Sequence, residues 1–390
     1  MLDAERLIAD RAHAIDASGI RRAFDLAASL TDPINLSIGQ PDFDVPEPIR
    51  EAAIEAIRGG NNKYTQTQGI AALRERIAGD LAAEFPETFG SASGDLHDDL
   101  GVLVTSGVSG GLMLAMLATV GPGDEVLIPD PYFVMYKHLV TLAGATPVFV
   151  DTYPDFRLTA ERVEPMLTER TKLVLFNSPS NPTGVVATAE ECESLARLCR
   201  ERGVLLLSDE IYDAFCYQNE VLPGGEEVFA SPCRTSRDVL LLRGFSKTYA
   251  MTGWRMGYAV GPRPIVEQMT KLQQYSFVCA PSMAQAAGVA ALDVDVSPHV
   301  EAYRRKRDLV VETLGPHYEL TAPGGAFYAF PKVPEAMGVP ASTFIEKAME
   351  KNVIVIPGSV FSQRDTHFRL SYACNEAKLE AGLAALVSLV

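Results

Sequence analysis

No two of the six cysteines stand in a Cys-x-x-Cys pair, and the six histidines form no cluster. That scarcity argues against a zinc site and a disulfide framework, and suits reduced thiols in a cytoplasmic protein. Positive charge is also in deficit: 34 Lys and Arg face 50 Asp and Glu, a formal net charge of −16. An acidic chain is a poor partner for nucleic acid or for an anionic membrane surface. The longest apolar stretch, residues 112–120, is bracketed by glycines and is too short to cross a bilayer. Residues 1–30 lack a basic segment followed by an apolar core, so they do not read as a signal peptide. They mix acids, bases and alanines at helical spacing, which predicts an amphipathic helical arm. There is no internal repeat or low-complexity tract, and Pro and Gly are scattered rather than gathered into a linker.

What is present is an ordinary globular balance, 47% hydrophobic and 22% charged, over 390 residues. That length exceeds one common core and points to two domains. Residues 34–43 read as an extended segment ending in Gly-Gln-Pro, where Gly39 either brings backbone close to a ligand or simply makes a turn. Helices are expected over 48–58 and 70–85. From residue 101 strands and helices alternate: strands at 102–105, 125–128, 147–150, 173–176, 204–208, 239–242 and 257–260, with helices at 112–120, 132–143 and 187–202. Continuous apolar strands alternating with helices predict an α/β fold, a mostly parallel sheet of seven-stranded type between helix layers. Beyond residue 290 the rhythm changes. Ser297-Pro298 reads as an N-cap and first helical residue of a helix running to 314. Strands near 325–330, 353–356 and 368–372 and helices near 343–351 and 376–389 suggest a smaller α+β domain. The expected division is 1–45 as arm and part of the small domain, 46–290 as the large domain and 291–390 as the small one.

In an open α/β sheet, ligands bind beyond the carboxyl ends of the strands. Four polar segments fall there. Residues 106–111 form a small-residue turn that opens a helix, a possible phosphate seat. Residues 177–184 and 209–212 follow two further strands. Lys247 follows a fourth, among apolar and aromatic neighbours. Desolvation disfavours an ammonium, and a neutral lysine attacks carbonyls to form Schiff bases; a solvated loop lysine is the plainer alternative. Arg255, beside the chain's one tryptophan, Trp254, offers a planar fork suited to phosphate. Together they suggest an aldehyde cofactor bearing a phosphate. Asp209, next to an apolar strand, calls for a partner, either a structural salt bridge or the N–H of a pyridinium ring.

These residues resemble the pyridoxal-phosphate aminotransferases of class I/II, fold type I, in the aspartate/aromatic subgroup. The resemblance spans essentially the whole chain. It rests on Asn181-Pro182-Thr183-Gly184, Asp209-Glu210-Ile211-Tyr212, Ser246-Lys247 and Gly253-Trp254-Arg255. It extends to Ile38-Gly39-Gln40-Pro41-Asp42-Phe43, Lys63-Tyr64-Thr65 and Phe368-Arg369-Leu370-Ser371-Tyr372. It implies that Lys247 holds pyridoxal 5′-phosphate as a Schiff base and moves the substrate α-proton. Asp209 would pair with the ring nitrogen, and Asn181 and Tyr212 with the phenolic oxygen. Arg255, Ser246 and the backbone at Val108 and Ser109 would hold the phosphate. Phe133, or else Tyr132, would stack on the ring. Arg369, helped by Gly39 and Asn181, would bind the substrate α-carboxylate, and Tyr64 would reach the partner subunit's phosphate in a homodimer. No metal is implied.

Two departures stand out. Arg243 occupies a position where many relatives carry Asn, and Gly244 one where some carry a phosphate-binding Ser. In some aspartate-selective relatives a Lys in the first phosphate turn reads the distal carboxylate, and Ser109 falls near that position here. The aromatic stretch 325–328 would suit an apolar or aromatic substrate side chain, or simply be core. The expected activity is transamination between an α-amino acid (aspartate, aromatic or alanine-type) and a 2-oxo acid such as 2-oxoglutarate. The alternatives are C–S β-elimination on the same cofactor and, from another class, a non-catalytic effector-sensing module.

Overall fold

The computed structural model describes residues 2–17, 19, 30–221 and 227–390. At its centre is a seven-stranded sheet. In chain order its strands are β1 (Leu100–Ser106), β2 (Glu125–Asp130), β3 (Thr146–Asp151), β4 (Thr171–Asn177), β5 (Leu205–Asp209), β6 (Val239–Gly244) and β7 (Met256–Pro262). Their spatial order is β1-β7-β6-β5-β4-β2-β3. Only β7 runs against its neighbours, Gly257 lying opposite both Thr105 and Gly244. All the others are parallel. The fold is therefore the mostly parallel α/β sheet expected from the sequence.

The unbroken apolar runs follow from burial on both faces. Along β4, Leu173 and Leu175 belong to one core while Val174 and Phe176 belong to the other. Along β6, Leu240 and Leu242 face the first core, Val239 and Leu241 the second. The helices that supply these cores are α1 (Glu47–Arg58), α2 (Ala71–Glu84), α3 (Gly107–Thr119), α4 (Met135–Leu142), α5 (Ala189–Arg202), α6 (Arg263–Gln274) and α7 (Ser282–Ala291). Residues of α3, α4 and α6 fill the first core; those of α1, α2, α5 and α7 fill the second. Thr188 caps α5 in a capping box with Glu191, and Gly203 closes that helix in the left-handed region.

Two helices, α6 and α7, are absent from the sequence reading. The last third is as expected in outline. Helix α8 (Ser297–Leu314) has Val296, not Ser297, at its N-cap, which places Pro298 one step further into the first turn. Next come α9 (Ala341–Glu350) and α10 (Glu376–Val387). A three-stranded antiparallel sheet joins Tyr328–Ala329 (β8), Ile356–Pro357 (β9) and Phe368–Ser371 (β10), with β10 in the middle. The expected strand over 353–356 is two short pieces: Val353–Ile354 pairs in parallel with Ile34–Asn35. That pairing draws the extended N-terminal segment onto the C-terminal layer, with the Ser371 N–H donating to the Leu36 carbonyl at 2.7 Å. The expected helical arm contains short turns at Glu5–Leu7 and Asp10–His13; residues 20–29 lie outside the described residues. Among the described residues no disulfide forms, no three His, Cys, Asp or Glu gather as a metal site, and no helix is long and apolar enough to cross a membrane.

Candidate active site

The ends of β1, β4, β5 and β6 open on one cavity of about 240 Å3 between the large sheet and the small one. Its lining brings together nearly every expected site residue: Gly39, Val108, Ser109, Phe133, Asn181, Asp209, Tyr212, Ser246, Lys247, Arg255 and Arg369. It also includes Leu112, Tyr136 and Thr252, which the sequence reading did not assign to a site, and Asn177, Ile211 and Tyr328, which lie in segments that reading noted without giving each residue a role.

Lys247 lies three residues past β6, where the chain turns into a short helix, Phe245–Thr248. Its Nζ donates to the Gly39 carbonyl at 2.6 Å, tying the extended N-terminal segment to the sheet edge. Burial, reinforced by the Arg369 and Arg255 charges and opposed by Asp209, pushes its amine down to about 8. Asp209 is buried at the end of β5 and is held by hydrogen bonds rather than by a salt bridge. The Tyr136 hydroxyl donates to its Oδ2 at 2.7 Å and the Ile211 N–H to its Oδ1 at 3.2 Å. Burial pushes its carboxyl up to about 6, against the pull of those donors and of Lys247. Burial likewise drives Tyr136 and Tyr212 upward, so both hydroxyls keep their protons.

Among the described residues Arg369 is the largest fully buried side chain. It projects from β10 between the rings of Tyr328 and Phe361, its guanidinium carbon 4.5 Å from each centroid. Nη1 donates to Asn181 Oδ1 at 3.0 Å and Nη2 to the Ser37 carbonyl at 2.9 Å. Its buried Nε has no partner among the described residues. The Asn181 amide is thus shared: its Nδ2 approaches the Tyr212 hydroxyl at 3.4 Å, and that hydroxyl meets the one of Tyr328 at 3.1 Å.

At the other end of the cavity Gly107 opens α3 with φ +67°, and a Cβ there would sit 2.6 Å from Arg255 Nη2. The first turn of α3 has no side-chain cap, and its Val108 and Ser109 line the same space. Arg255 is held there by donation from Nη1 to the Thr252 carbonyl at 3.0 Å. Phe133 borders the cavity, whereas Tyr132 is buried against Phe149, so Phe133 is the available wall. Tyr64 stands apart: it is 84% exposed, in a surface hollow with Phe277, Cys279 and Pro281. Gly39 presents its carbonyl to Lys247, and a Cβ on it would crowd the Tyr328 hydroxyl at 3.0 Å.

A doubly covered, mostly parallel sheet with a half-buried lysine, a buried carboxylate and two arginines at its carboxyl edge defines a cofactor-dependent enzyme of amino-group chemistry. The chain matches the family model for aminotransferase class I and II over residues 31–386 and belongs to that family. The Bacillus subtilis (strain 168) protein YugH is 40% identical over 387 residues, 97% of each chain. The aromatic-amino-acid aminotransferase 2 of Thermococcus litoralis is 36% identical, with 96% of each chain covered. The crystal structure of Thermotoga maritima aspartate aminotransferase superposes with a TM-score of 0.89 at 35% identity, covering 98% of this chain and 99% of that one. Members of the family are pyridoxal-phosphate enzymes, and this chain is an aminotransferase that exchanges amino and oxo groups between an α-amino acid and a 2-oxo acid. Neither β-elimination nor effector sensing is favoured by these relatives.

Proposed function

We propose that this aminotransferase takes amino donors with uncharged, aromatic or aliphatic side chains, and that Lys247 is its cofactor anchor and proton carrier. The observation that carries the substrate reading is the use of charge in the cavity. Its charged lining is Asp209, Lys247, Arg255 and Arg369. The cofactor and the α-carboxylate employ all four, so no cation among the described lining residues remains for a distal carboxylate. Leu112, Ile211 and Tyr328 suit apolar surface instead.

The residues fit pyridoxal phosphate. The buried Asp209 carboxylate, held by a hydroxyl and an N–H, suits a ring N–H as its third donor. The glycine-trimmed start of α3 beside Arg255 suits a phosphate. The unpartnered Arg369 Nε suits a carboxylate oxygen. When bound, the cofactor supplies an electron sink for the substrate α-carbon. Asp209 would keep the ring nitrogen protonated, and Tyr136 would keep Asp209 ionised. Asn181 and Tyr212 would hydrogen-bond the phenolic oxygen, and Phe133 would cover the ring. Ser246, Arg255 and the N–H groups of Val108 and Ser109 would hold the phosphate. Arg369 would fix the α-carboxylate, with Asn181 and Gly39 beside it, so that the Cα–H bond stays aligned for reaction. Lys247, its amine lowered toward neutrality, would take the proton from Cα and return it on the cofactor side.

The proposal includes a homodimer in which Tyr64 completes the partner subunit's phosphate site. Ile57, Tyr64, Tyr275, Phe277 and Val278 are all exposed large apolar or aromatic side chains, which a partner subunit could cover. A reducing, cytoplasmic setting suits six cysteines without a disulfide. The division at residues 45 and 290 is likewise proposed, supported by the separate small sheet.

The test is an amino-acid panel. Purified protein loaded with pyridoxal phosphate is mixed with single amino acids, and conversion of the cofactor chromophore is followed with release of the oxo acid; acceptors are 2-oxoglutarate, pyruvate and oxaloacetate. Higher kcat/KM for aromatic or aliphatic donors than for aspartate and glutamate is expected. A preference for aspartate above about tenfold, equivalent to roughly 1.4 kcal/mol, overturns the substrate reading.

A further inference from the structure

Behind the site, on the opposite face of the sheet, lies a buried charge cluster that the reaction does not touch. Arg243, 5% exposed near the end of β6, donates from Nε to Glu210 Oε2 at 3.0 Å. Its Nη1 and Nη2 donate to the two Glu84 oxygens at 2.6 and 2.9 Å, and Nε lies 3.3 Å from Asp213 Oδ2. Glu210 is fully buried, and its Oε1 accepts from the Ser208 and Ser231 hydroxyls at 2.7 and 2.6 Å. One guanidinium thus serves three carboxylates from three segments: the last residue of α2, the residue after β5, and the short helix Asp213–Phe215.

The chain positions of these partners are what matter. Glu210 follows Asp209, Asp213 follows Tyr212, and Arg243 stands four residues before Lys247. Side chains alternate across a strand, so a residue pointing into the cavity has its neighbour pointing behind it. Asp209 shares the parity of Leu207, in the cavity-side core; Arg243 shares that of Leu241, in the other core. The Glu210 N–H also donates to the Leu242 carbonyl at 2.9 Å, closing the same junction through the backbone.

We propose that Arg243 is a positioning residue that pins the segments carrying Asp209, Tyr212 and Lys247 in one register. A lysine would supply charge but not a planar fork able to meet three carboxylates. An uncharged residue would leave Glu210 buried without a cation, and the two turns free to separate. The pin acts from behind, on the spacing between ring-nitrogen partner and anchor, and leaves the α-carboxylate grip on β10 unchanged. The inference rests on Lys247 and Asp209 serving the cofactor as proposed above.

The test compares wild type with Arg243→Met, Arg243→Lys and Asp213→Asn, all loaded with pyridoxal phosphate. Hydrogen–deuterium exchange of the apoproteins supplies a readout independent of turnover. In Arg243→Met, protection of segments 205–215 and 239–249 should fall together. The midpoint of the cofactor's absorbance titration should move by about half a pH unit or more, a response to the altered distances among Lys247, Asp209, Arg255 and Arg369. The value of kcat should drop by about tenfold or more while KM for the amino acid changes less than about threefold. Arg243→Lys should recover part of each change. If Arg243→Met does not fold, the same readings on Asp213→Asn, which keeps Glu210 paired, decide. A lowered melting temperature with unchanged titration midpoint and unchanged kcat refutes the pin. A wild-type protein with no bound-cofactor absorbance refutes the cofactor assignment instead, so the two failures are distinguishable.

Discussion

Replacing Arg369 by lysine probes the substrate grip with the charge retained. The guanidinium is held flat between Tyr328 and Phe361 by two anchoring hydrogen bonds, to Asn181 Oδ1 and the Ser37 carbonyl. That leaves Nε, buried and unpartnered, to meet a carboxylate. A lysine ammonium has no fork and cannot fill the slot between two rings as a plane does. A lost charge-assisted hydrogen bond costs about 1.5–3 kcal/mol. At about 1.4 kcal/mol per tenfold, KM for the amino acid should rise by roughly tenfold to a hundredfold. The assay is the single-turnover absorbance change as a function of amino-acid concentration, run beside the amine that has the same side chain but no carboxylate. The amine should react as poorly with the variant as with the wild type. A KM within about threefold of wild type, or an equal loss for the amine, would refute the role given to Arg369.

Covalent loading of the apoprotein with pyridoxal phosphate should accelerate as pH rises through about 8, because the neutral Lys247 amine is the nucleophile and its value is lowered to about 8. Near neutral pH the free-base fraction should therefore be far larger than for an unperturbed lysine; stopped-flow absorbance reads it, and a rate still climbing steeply past pH 10 contradicts it. Tyr136→Phe removes a donor that stabilises the ionised Asp209, so its carboxyl should climb above about 6. Cofactor release on acidification should then begin at higher pH than in the wild type, with kcat reduced roughly tenfold to a hundredfold for a lost charge-assisted hydrogen bond of about 1.5–3 kcal/mol. Gly107→Ala would force a Cβ into the left-handed region and onto Arg255. Pyridoxal-phosphate affinity, measured by equilibrium dialysis, should fall by about tenfold or more, and unchanged affinity would show that this turn does not hold the phosphate.

Much of the site was legible because each polar residue interrupts an apolar run. Asn177 and Asp209 are the last residues of β4 and β5 and Lys247 follows β6 closely, and strand ends in a parallel sheet share one edge. Tyr136 was not legible in this way. It lies in the first turns of α4, where a tyrosine reads as core, and its partner Asp209 is 73 residues away. Tyr328 was seen only as part of an aromatic stretch that would suit a substrate side chain or simply be core. Its meaning depends on Arg369 and Tyr212, which tertiary packing brings to it. Helix α7 escaped notice because its packing face against α1 is made of alanine and glycine, which leave little large-apolar periodicity. Arg243 was visible only as an unusual residue; its carboxylate partners come from positions 84, 210 and 213. Long-range pairing of this kind has no local signature.

The central claim is that Lys247 carries the cofactor. Borohydride reduction of the protein loaded with pyridoxal phosphate, followed by proteolysis and mass spectrometry, tests it most directly. A pyridoxyl-phosphate adduct on the peptide containing Lys247, lost in Lys247→Ala, is the expected result; an adduct confined to another lysine, or none, would contradict it.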